Sequence, residues 1–264
     1  MINVYFNKQC RNSDFSMADL HSHAYYEIYY LAKGERLLLF DDRLHTLSAP
    51  AIIVIPPWVM HKTEGGPYLR YNIYVSPQYL NGFEEKTLQS LSLKSLPLSK
   101  TEHTILLDLF EEAVNMHSQP DYKSIQHALF SYFIVRLSKM KIESKAETEL
   151  NNQKSSQKTS PVTLKVLSYI HEHYRENITL EDLSQQFHIA KSTLNYDFKA
   201  AISCTPIKYM RNYRLTKSKE LLIQSSKSIH EIADECGFSS PNYFGLIFKM
   251  DEGISPAAYR KLNR

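Results

Sequence analysis

Cysteine is scarce in this sequence, with three residues in a chain of 264. Cys10, Cys204 and Cys236 have no metal-binding spacing and form no even set, so neither a disulfide framework nor a cysteine metal site is expected. No apolar run is long enough to span a membrane, and no charged and apolar leader opens the chain. These absences favour a cytoplasmic protein with no membrane partner.

Net charge is also small, at +3 at neutral pH. Residues 1–159 are balanced, so the whole excess of Lys and Arg lies in residues 160–264. A positive excess is the sign expected for a surface that faces phosphate groups. The length and the 43% hydrophobic content allow two domains, each with a substantial core.

The C-terminal end of the chain has the pattern of a helix, a tight turn and a second helix. Ser228 and Glu231 have capping-box spacing at the start of the first helix. Gly237 breaks that helix, and Ser240 followed by Pro241 marks the start of the next. The order predicts a helix-turn-helix, whose second helix can lie in a DNA major groove.

The same design occurs earlier in the chain, where Thr179 and Asp182 repeat the capping signal. The corresponding positions are Leu183 and Ile232, Ile189 and Phe238, Phe198-Lys199 and Phe248-Lys249, Thr205-Pro206 and Ser255-Pro256, and Tyr209 and Tyr259. We therefore predict helix-turn-helix units at about 180–201 and 228–251, joined by a helix from Thr205 to Gln224. That helix would span ~30 Å, close to the ~34 Å of one DNA turn.

These residues closely resemble the AraC/XylS family of bacterial transcription regulators, above all in IADECGFSSPNYFGLIFKMDEGISPAAYR. The resemblance covers residues 161–264. It implies a domain that reads two adjacent major grooves of double-stranded DNA, and a protein that works with RNA polymerase and has no catalytic residues.

The predicted DNA-binding residues are those expected to point outward from the two second helices. They are Lys191, Ser192, Thr193, Asn195, Tyr196, Lys199, Ser240, Pro241, Asn242, Tyr243, Gly245, Leu246 and Lys249, with Arg214 on the joining helix. Asn and Ser can read base edges, whereas Lys199, Lys249 and Arg214 are expected to meet phosphate or to cap their own helices. Leu194, Phe198, Phe244 and Phe248 are expected to be core. Ala190 and Ser203 replace the Ser-type cap and the glycine that the family prefers.

Residues 1–95 contain short β-rich runs separated by turn residues, which predicts a β-barrel or sandwich. Gly34 is expected to end a strand. Residues 96–142 read as two helices, which either cover the barrel or form a homodimer. Residues 143–160 are almost wholly polar and predict a flexible linker before residues 161–264.

The segment HSHAYYEIYYLAKG carries a cluster of polar side chains at strand period, with His21, His23, Tyr25 and Glu27 on one face. It is similar to the first cupin motif, and PPWVMH, ending at His61, is similar to a degraded second motif. Trp58 stands where that motif has a glycine. Cupin-type sensor domains are common at the N-terminus of AraC-type regulators. The predicted effector-binding residues are His21, His23, Tyr25, Glu27, Tyr29, Arg36, Trp58, His61 and Tyr71, with Arg70 as the alternative to Arg36.

The predicted fold is therefore α+β and multidomain, with an N-terminal cupin-like β-barrel, a helical dimerisation segment and a C-terminal all-α domain with two helix-turn-helix motifs. The predicted function is that of a homodimeric, effector-responsive transcriptional activator of a metabolic operon, with a sugar as the leading effector and neither cofactor nor metal. Two alternatives stay open. One is a cupin-type metal-dependent enzyme that carries a DNA-binding module, and the other is a constitutive DNA binder.

Overall fold

The computed structural model describes residues 3–17, 20–40, 43–116, 121–140 and 160–263. These residues form two compact units. The first contains 3–17, 23–40, 44–116 and 121–140, and the second contains 160–263 together with 20–22 and 43. Within the described ranges, no helix is both long and apolar enough to cross a membrane. The linker predicted at 143–160 lies outside these ranges except for Ser160.

The first unit is a β-structure followed by helices. Its elements are β1 (Val4–Arg11), β2 (Phe15–Ser16), β3 (Tyr26–Phe40), β4 (Arg43–Ser48), β5 (Ala51–Ile55), β6 (His61–Gly65), β7 (Tyr68–Val75), α1 (Gly82–Leu91), β8 (Ser95–Pro97), α2 (Lys100–Asn115) and α3 (Tyr122–Lys139). One layer has the strand order β1-β7-β3-β5-β8. In a second layer, β4 and β6 pair with β3, and β2 pairs with β6. The pairings of β3 with β5, β6 and β7 are antiparallel.

β3 takes part in both layers because it bends near Gly34. Its pairing with β7 shifts register between Leu31 and Lys33, and Gly34 has a φ of 95°. A Cβ on Gly34 would lie 2.3 Å from the Pro67 carbonyl oxygen. Only glycine tolerates both conditions. The prediction that Gly34 ends the strand is wrong, since the strand bends there and continues to Phe40.

The two faces of β3 enter different cores. Ile28 and Tyr30 pack in one core with Phe110 of α2 and Phe133 of α3, all fully buried. Tyr29 and neighbouring alternate residues face a second core between the strand layers. The reading of the helices as a cover over the sheet is confirmed.

α1 lies inside the region that we predicted to contain only strands. Asn81 accepts hydrogen bonds from the backbone N–H groups of Phe83 and Glu84, and the Glu84 side chain accepts one from the Asn81 N–H. This capping box starts a helix that buries Leu88 and Leu91. The strand prediction is therefore wrong between Gly82 and Leu91, because the Asn-x-x-Glu signal was overlooked.

The second unit is all helical. Its elements are α4 (Pro161–His173), α5 (Leu180–Gln186), α6 (Lys191–Ile202), α7 (Pro206–Gln224), α8 (Ile229–Glu235), α9 (Pro241–Glu252) and α10 (Pro256–Asn263). The capping boxes of Thr179 with Asp182 and of Ser228 with Glu231 are both present, as predicted. α7 has 19 residues and is therefore ~28 Å long.

Candidate DNA-reading surface and ligand-binding interior

The two helix-turn-helix units place α6 and α9 as their second helices. Leu194 and Phe198 of α6 are buried, and Phe244 and Phe248 of α9 are buried at the corresponding turns. The predicted core positions are confirmed. An i, i+4 pair of apolar residues fixes one face of each helix against its own unit, so the opposite face points outward.

Most of the predicted reading residues lie on those outward faces. The exposed ones are Lys191, Ser192, Thr193, Tyr196, Lys199, Asn242, Tyr243, Leu246 and Lys249, and the half-buried ones are Asn195, Ser240, Pro241 and Gly245. Tyr196 and Leu246 occupy equivalent positions and are 76% and 59% exposed. Large apolar groups so exposed on a reading helix can contact thymine methyl groups.

Two of the predicted residues have local structural roles instead. Arg214 is half-buried, and its guanidinium donates from Nε to the Tyr174 carbonyl and from Nη2 to the Glu176 carbonyl, both at 2.6 Å. The Ser240 hydroxyl accepts from the Tyr243 backbone N–H and caps α9. Arg214 therefore holds the chain after α4, and the Ser240 hydroxyl oxygen already accepts a hydrogen bond.

The inner side of the β-structure holds a buried carboxylate. Glu27 Oε2 lies 3.0 Å from His23 Nε2 and 3.3 Å from His61 Nε2. Glu27 Oε1 accepts from Asn72 Nδ2 at 2.7 Å. All four side chains are largely buried, so each of these contacts is strengthened by the low local dielectric constant. The predicted trio of His23, Glu27 and His61 is therefore brought together.

The hydrogen-bond pattern constrains the protons of this cluster. His23 Nδ1 lies 2.8 Å from the Tyr25 carbonyl and His61 Nδ1 lies 3.0 Å from the Val59 carbonyl. A carbonyl only accepts, so each Nδ1 must donate. Each Nε2 then faces a carboxylate oxygen, which also only accepts. A neutral imidazole would turn the lone pair of its Nε2 toward that oxygen, whereas a second imidazole proton or a cation between the groups would make the contact attractive.

Glu27 is ionised in either case. Burial alone would raise the pKa of its carboxyl group, but hydrogen bonds and positive charge from His23 and His61 hold that pKa well below its usual range. Two imidazoles and one carboxylate are also a donor set that can hold a divalent transition-metal ion. His23, His61 and Glu27 are the residues that would hold it.

The other predicted effector residues are distributed unevenly. The Tyr25 ring stacks on His23 at 4.0 Å, and the Trp58 backbone N–H donates to the His23 carbonyl at 2.8 Å. Trp58 has a φ of 67°, which explains why a glycine suits this position in the resembling motif. His21 precedes β3 and belongs to the residues that group with the second unit.

His23 and Tyr25 lie ahead of β3, which begins at Tyr26, so the prediction that they share a strand with Glu27 is wrong. Tyr71 is on the opposite face of the sheet. It pairs with Tyr30, belongs to the core under the helices, and donates its hydroxyl to Glu111. The structure does not bring Tyr71 to the cluster.

Sequence reasoning considered Arg70 but missed two other polar residues of the same interior, Asn72 and Tyr74. Asn72 bonds to Glu27 and to the Tyr74 hydroxyl, each at 2.7 Å. Arg70 donates to Gln9 and lies over the Tyr29 ring at 5.1 Å. The signal was the alternation of Arg70, Asn72 and Tyr74 along β7, which places three polar side chains on one face of a strand.

Comparison with known families agrees with this division of the chain. A family model described as an AraC-like ligand binding domain matches residues 10–131, and one described as a helix-turn-helix domain matches residues 183–262. The chain belongs to the AraC/XylS family of transcriptional regulators. As a member of that family it is a sequence-specific DNA-binding regulator of transcription with an AraC-like ligand-binding domain.

Curated AraC/XylS-type relatives match over most of their length. The uncharacterized HTH-type transcriptional regulator YfiF of Bacillus subtilis is 27% identical over 255 residues, which are 92% of this chain and 79% of that protein. The HTH-type transcriptional activator RhaS of Escherichia coli is 23% identical over 251 residues, covering 91% and 87%. Among solved structures, the DNA-binding domain of the global transcriptional factor AdpA in complex with a target DNA is 29% identical, with a TM-score of 0.38 and coverages of 39% and 93%.

Proposed function

We propose that this regulator is an activator whose DNA binding or contact with RNA polymerase is controlled by a small polar effector held inside the first unit. The observation that carries this proposal is the buried network around Glu27, in which His23, His61 and Asn72 surround one carboxylate. Buried polar groups are costly to a fold unless they serve a specific interaction. A ligand that hydrogen-bonds to this network binds more tightly to the conformation in which the network is formed than to one in which it is not.

The DNA-binding half of the proposal assigns the reading surface to the outward faces of α6 and α9. Asn195, Asn242 and the exposed apolar groups are proposed to face bases, and Lys199 and Lys249 to face phosphates. α7 sets the distance between the two helix-turn-helix motifs, and its length of ~28 Å is near the ~34 Å of a DNA turn.

We further propose that the regulator acts in the cytoplasm as a homodimer through α3. Tyr132 and Val135 on α3 are 49% and 41% exposed, although neighbouring Phe133 and Ile134 are fully buried. An exposed apolar strip on an otherwise packed helix suits a symmetric contact with a second copy.

The effector site is tested by Glu27→Gln, which keeps the size of the side chain and removes its charge. Glu111→Gln is the matched control, because Glu111 bonds to Lys8 and Tyr71 on the opposite side of the sheet. Both variants are examined in a reporter strain whose promoter carries a site selected by the purified chain from random DNA. We expect Glu27→Gln to keep its DNA binding and to lose its response to inducing growth conditions, while Glu111→Gln keeps both.

The result has a clear converse. A Glu27→Gln protein that folds, binds DNA and still responds normally would remove Glu27 from the effector site. A protein that unfolds would assign the network a structural role. The alternative of a metal-dependent enzyme is favoured specifically by the His23, His61 and Glu27 donor set, and one equivalent of a tightly bound transition metal in the purified protein would support it.

A further inference from the structure

Two arginines lie inside the first unit without a carboxylate partner. Arg36 is 1% exposed and Arg70 is 8% exposed. Arg36 donates from Nη1 to the Gly65 carbonyl at 2.9 Å and from Nη2 to the Phe15 carbonyl at 2.9 Å. Arg70 donates from Nε to Gln9 Oε1 at 2.9 Å. Among the described residues, no carboxylate forms an ion pair with either guanidinium, so both charges are held by neutral groups.

The two guanidiniums lie close to one shared aromatic ring, that of Tyr68. Arg36 is 4.6 Å and Arg70 is 5.5 Å from the centre of the Tyr68 ring, and Arg70 also covers Tyr29. Burial, together with the like charge of Arg70, lowers the pKa of the Arg36 guanidinium. An aromatic face stabilises a cation only modestly compared with a carboxylate.

The Glu27 carboxylate does not neutralise the pair. Glu27 is already bonded to His23, His61 and Asn72, and in its ionised form it supplies one negative charge against two arginines. The interior therefore carries a net positive charge of at least one. Burying uncompensated charge is costly, and an anion from outside the chain would remove that cost.

Two buried polar atoms mark where such an anion would bind. Among the residues that the structure describes, neither the Tyr29 hydroxyl nor Arg36 Nε has a hydrogen-bond partner, although Tyr29 is fully buried beside both guanidiniums. Burial raises the pKa of Tyr29, so at neutral pH its hydroxyl keeps its proton and can donate. Buried donors without acceptors are rare in folded proteins and call for a specific explanation.

We propose that the effector of this regulator carries an anionic group, a carboxylate or a phosphate, that binds between Arg36 and Arg70 and accepts a hydrogen bond from Tyr29. This inference rests on the proposed effector function and narrows the ligand class from polar compounds in general to acids. An Arg fork and a phenol are well suited to a carboxylate or phosphate oxygen pair. A sugar acid or a sugar phosphate fits this site better than a neutral sugar does.

The test compares acids with their neutral counterparts on the purified full-length chain. The probes are glucuronate, galacturonate and benzoate for the carboxylate, glucose 6-phosphate for the phosphate, and glucose, galactose and benzyl alcohol as neutral partners. Melting temperature and calorimetric Kd are measured at matched ionic strength, since salt alone alters exposed charge interactions. We expect at least one acid to raise the melting temperature and its neutral partner not to, and the two acid classes show which anion the site prefers.

The variants locate the binding. Tyr29→Phe removes a hydroxyl that has no hydrogen-bond partner among the described residues, so it should fold normally and weaken the Kd of the stabilising acid about tenfold, as expected for a bond to a charged group. Tyr30→Phe is the matched control, because its hydroxyl bonds to His103 on the opposite face of β3; its Kd should stay within about twofold of the wild type. Arg70→Gln should weaken the acid at least as much as Tyr29→Phe.

Three results would overturn the proposal. They are equal stabilisation by an acid and its neutral partner, an unchanged Kd in Tyr29→Phe and Arg70→Gln, and no stabilisation by any acid. Stabilisation by neutral compounds alone would leave effector sensing intact and reject only the anionic class. A chain that no probe stabilises and whose reporter never responds to growth conditions would argue against the effector function itself.

Discussion

Asn195 and Gly245 occupy equivalent positions in the two reading helices, and so do Tyr196 and Leu246. The first helix-turn-helix therefore presents an amide that can bond bidentately to adenine, whereas the second helix-turn-helix presents no side chain at that position. Leu246 offers only an apolar contact, for which a thymine methyl is the natural partner. We propose that base discrimination is unequal: the first helix-turn-helix reads hydrogen-bond patterns, and the second reads mainly shape and methyl groups.

This inequality predicts different outcomes for two alanine substitutions. Asn195→Ala should weaken binding by ~1–3 kcal/mol and relax preference at one base position. Leu246→Ala should cost less and affect only preference for a thymine, because no hydrogen bond is lost. Both are measured by mobility shift against a library of operator variants. Equal losses that are uniform over all variants would show that neither side chain reads a base.

The roles of individual residues were predictable where one element fixes them. The buried and exposed faces of α6 and α9 follow from helical periodicity, and the structure agrees at Leu194 and Phe198. Arg214 was not predictable, because its carbonyl partners lie about 40 residues away in sequence. The same holds for Arg70, whose partner Gln9 belongs to a strand that is adjacent only after folding.

The turns of the two helix-turn-helix units differ in their strain. Gly237 has a φ of 75°, and a Cβ there would lie 2.6 Å from the Arg175 carbonyl oxygen. Its counterpart His188, which is exposed, has a φ of 52°, a conformation that disfavours every residue with a Cβ. Ala190 at the N-cap position of α6 offers no side-chain hydrogen bond, whereas the Ser240 side chain caps α9.

The first helix-turn-helix should therefore be stabilised by the residue types that the second helix-turn-helix already has at these positions. We expect His188→Gly to raise the free energy of unfolding by ~0.5–1 kcal/mol, and Ala190→Ser to add ~1 kcal/mol. Gly237→Ala is the reverse case and should destabilise strongly, because its Cβ meets backbone. Urea midpoints of the three variants check the prediction, and a loss of stability in His188→Gly would show that the imidazole makes a contribution that outweighs its backbone strain.

The helices of the second unit were predicted closely because the start of every one except α6 carries a local signal. Ser, Thr and Pro at the first positions determine where a helix begins, whatever the rest of the chain does. β3 was predicted less well. Whether Gly34 ends a strand or bends it depends on the Pro67 carbonyl, which a reading along the chain does not bring near. The same limit applies to the interior that we propose as the effector site, to which β1, β3, β6 and β7 all contribute.

The whole chain divides its work between two units, and the positive excess, the two reading helices and the helix that spaces them all belong to the second. A fragment of residues 160–264, which keeps the Ser160 cap of α4, should therefore fold alone and bind DNA. If it neutralises ~6 phosphates, its affinity should fall about 10³-fold between 50 and 200 mM salt. Lys199→Gln and Lys249→Gln should each reduce the salt slope by about one, while Lys165→Gln on α4 should leave it unchanged. A fragment that is helical by circular dichroism yet binds no DNA at low salt would show that the first unit is required to form the reading surface.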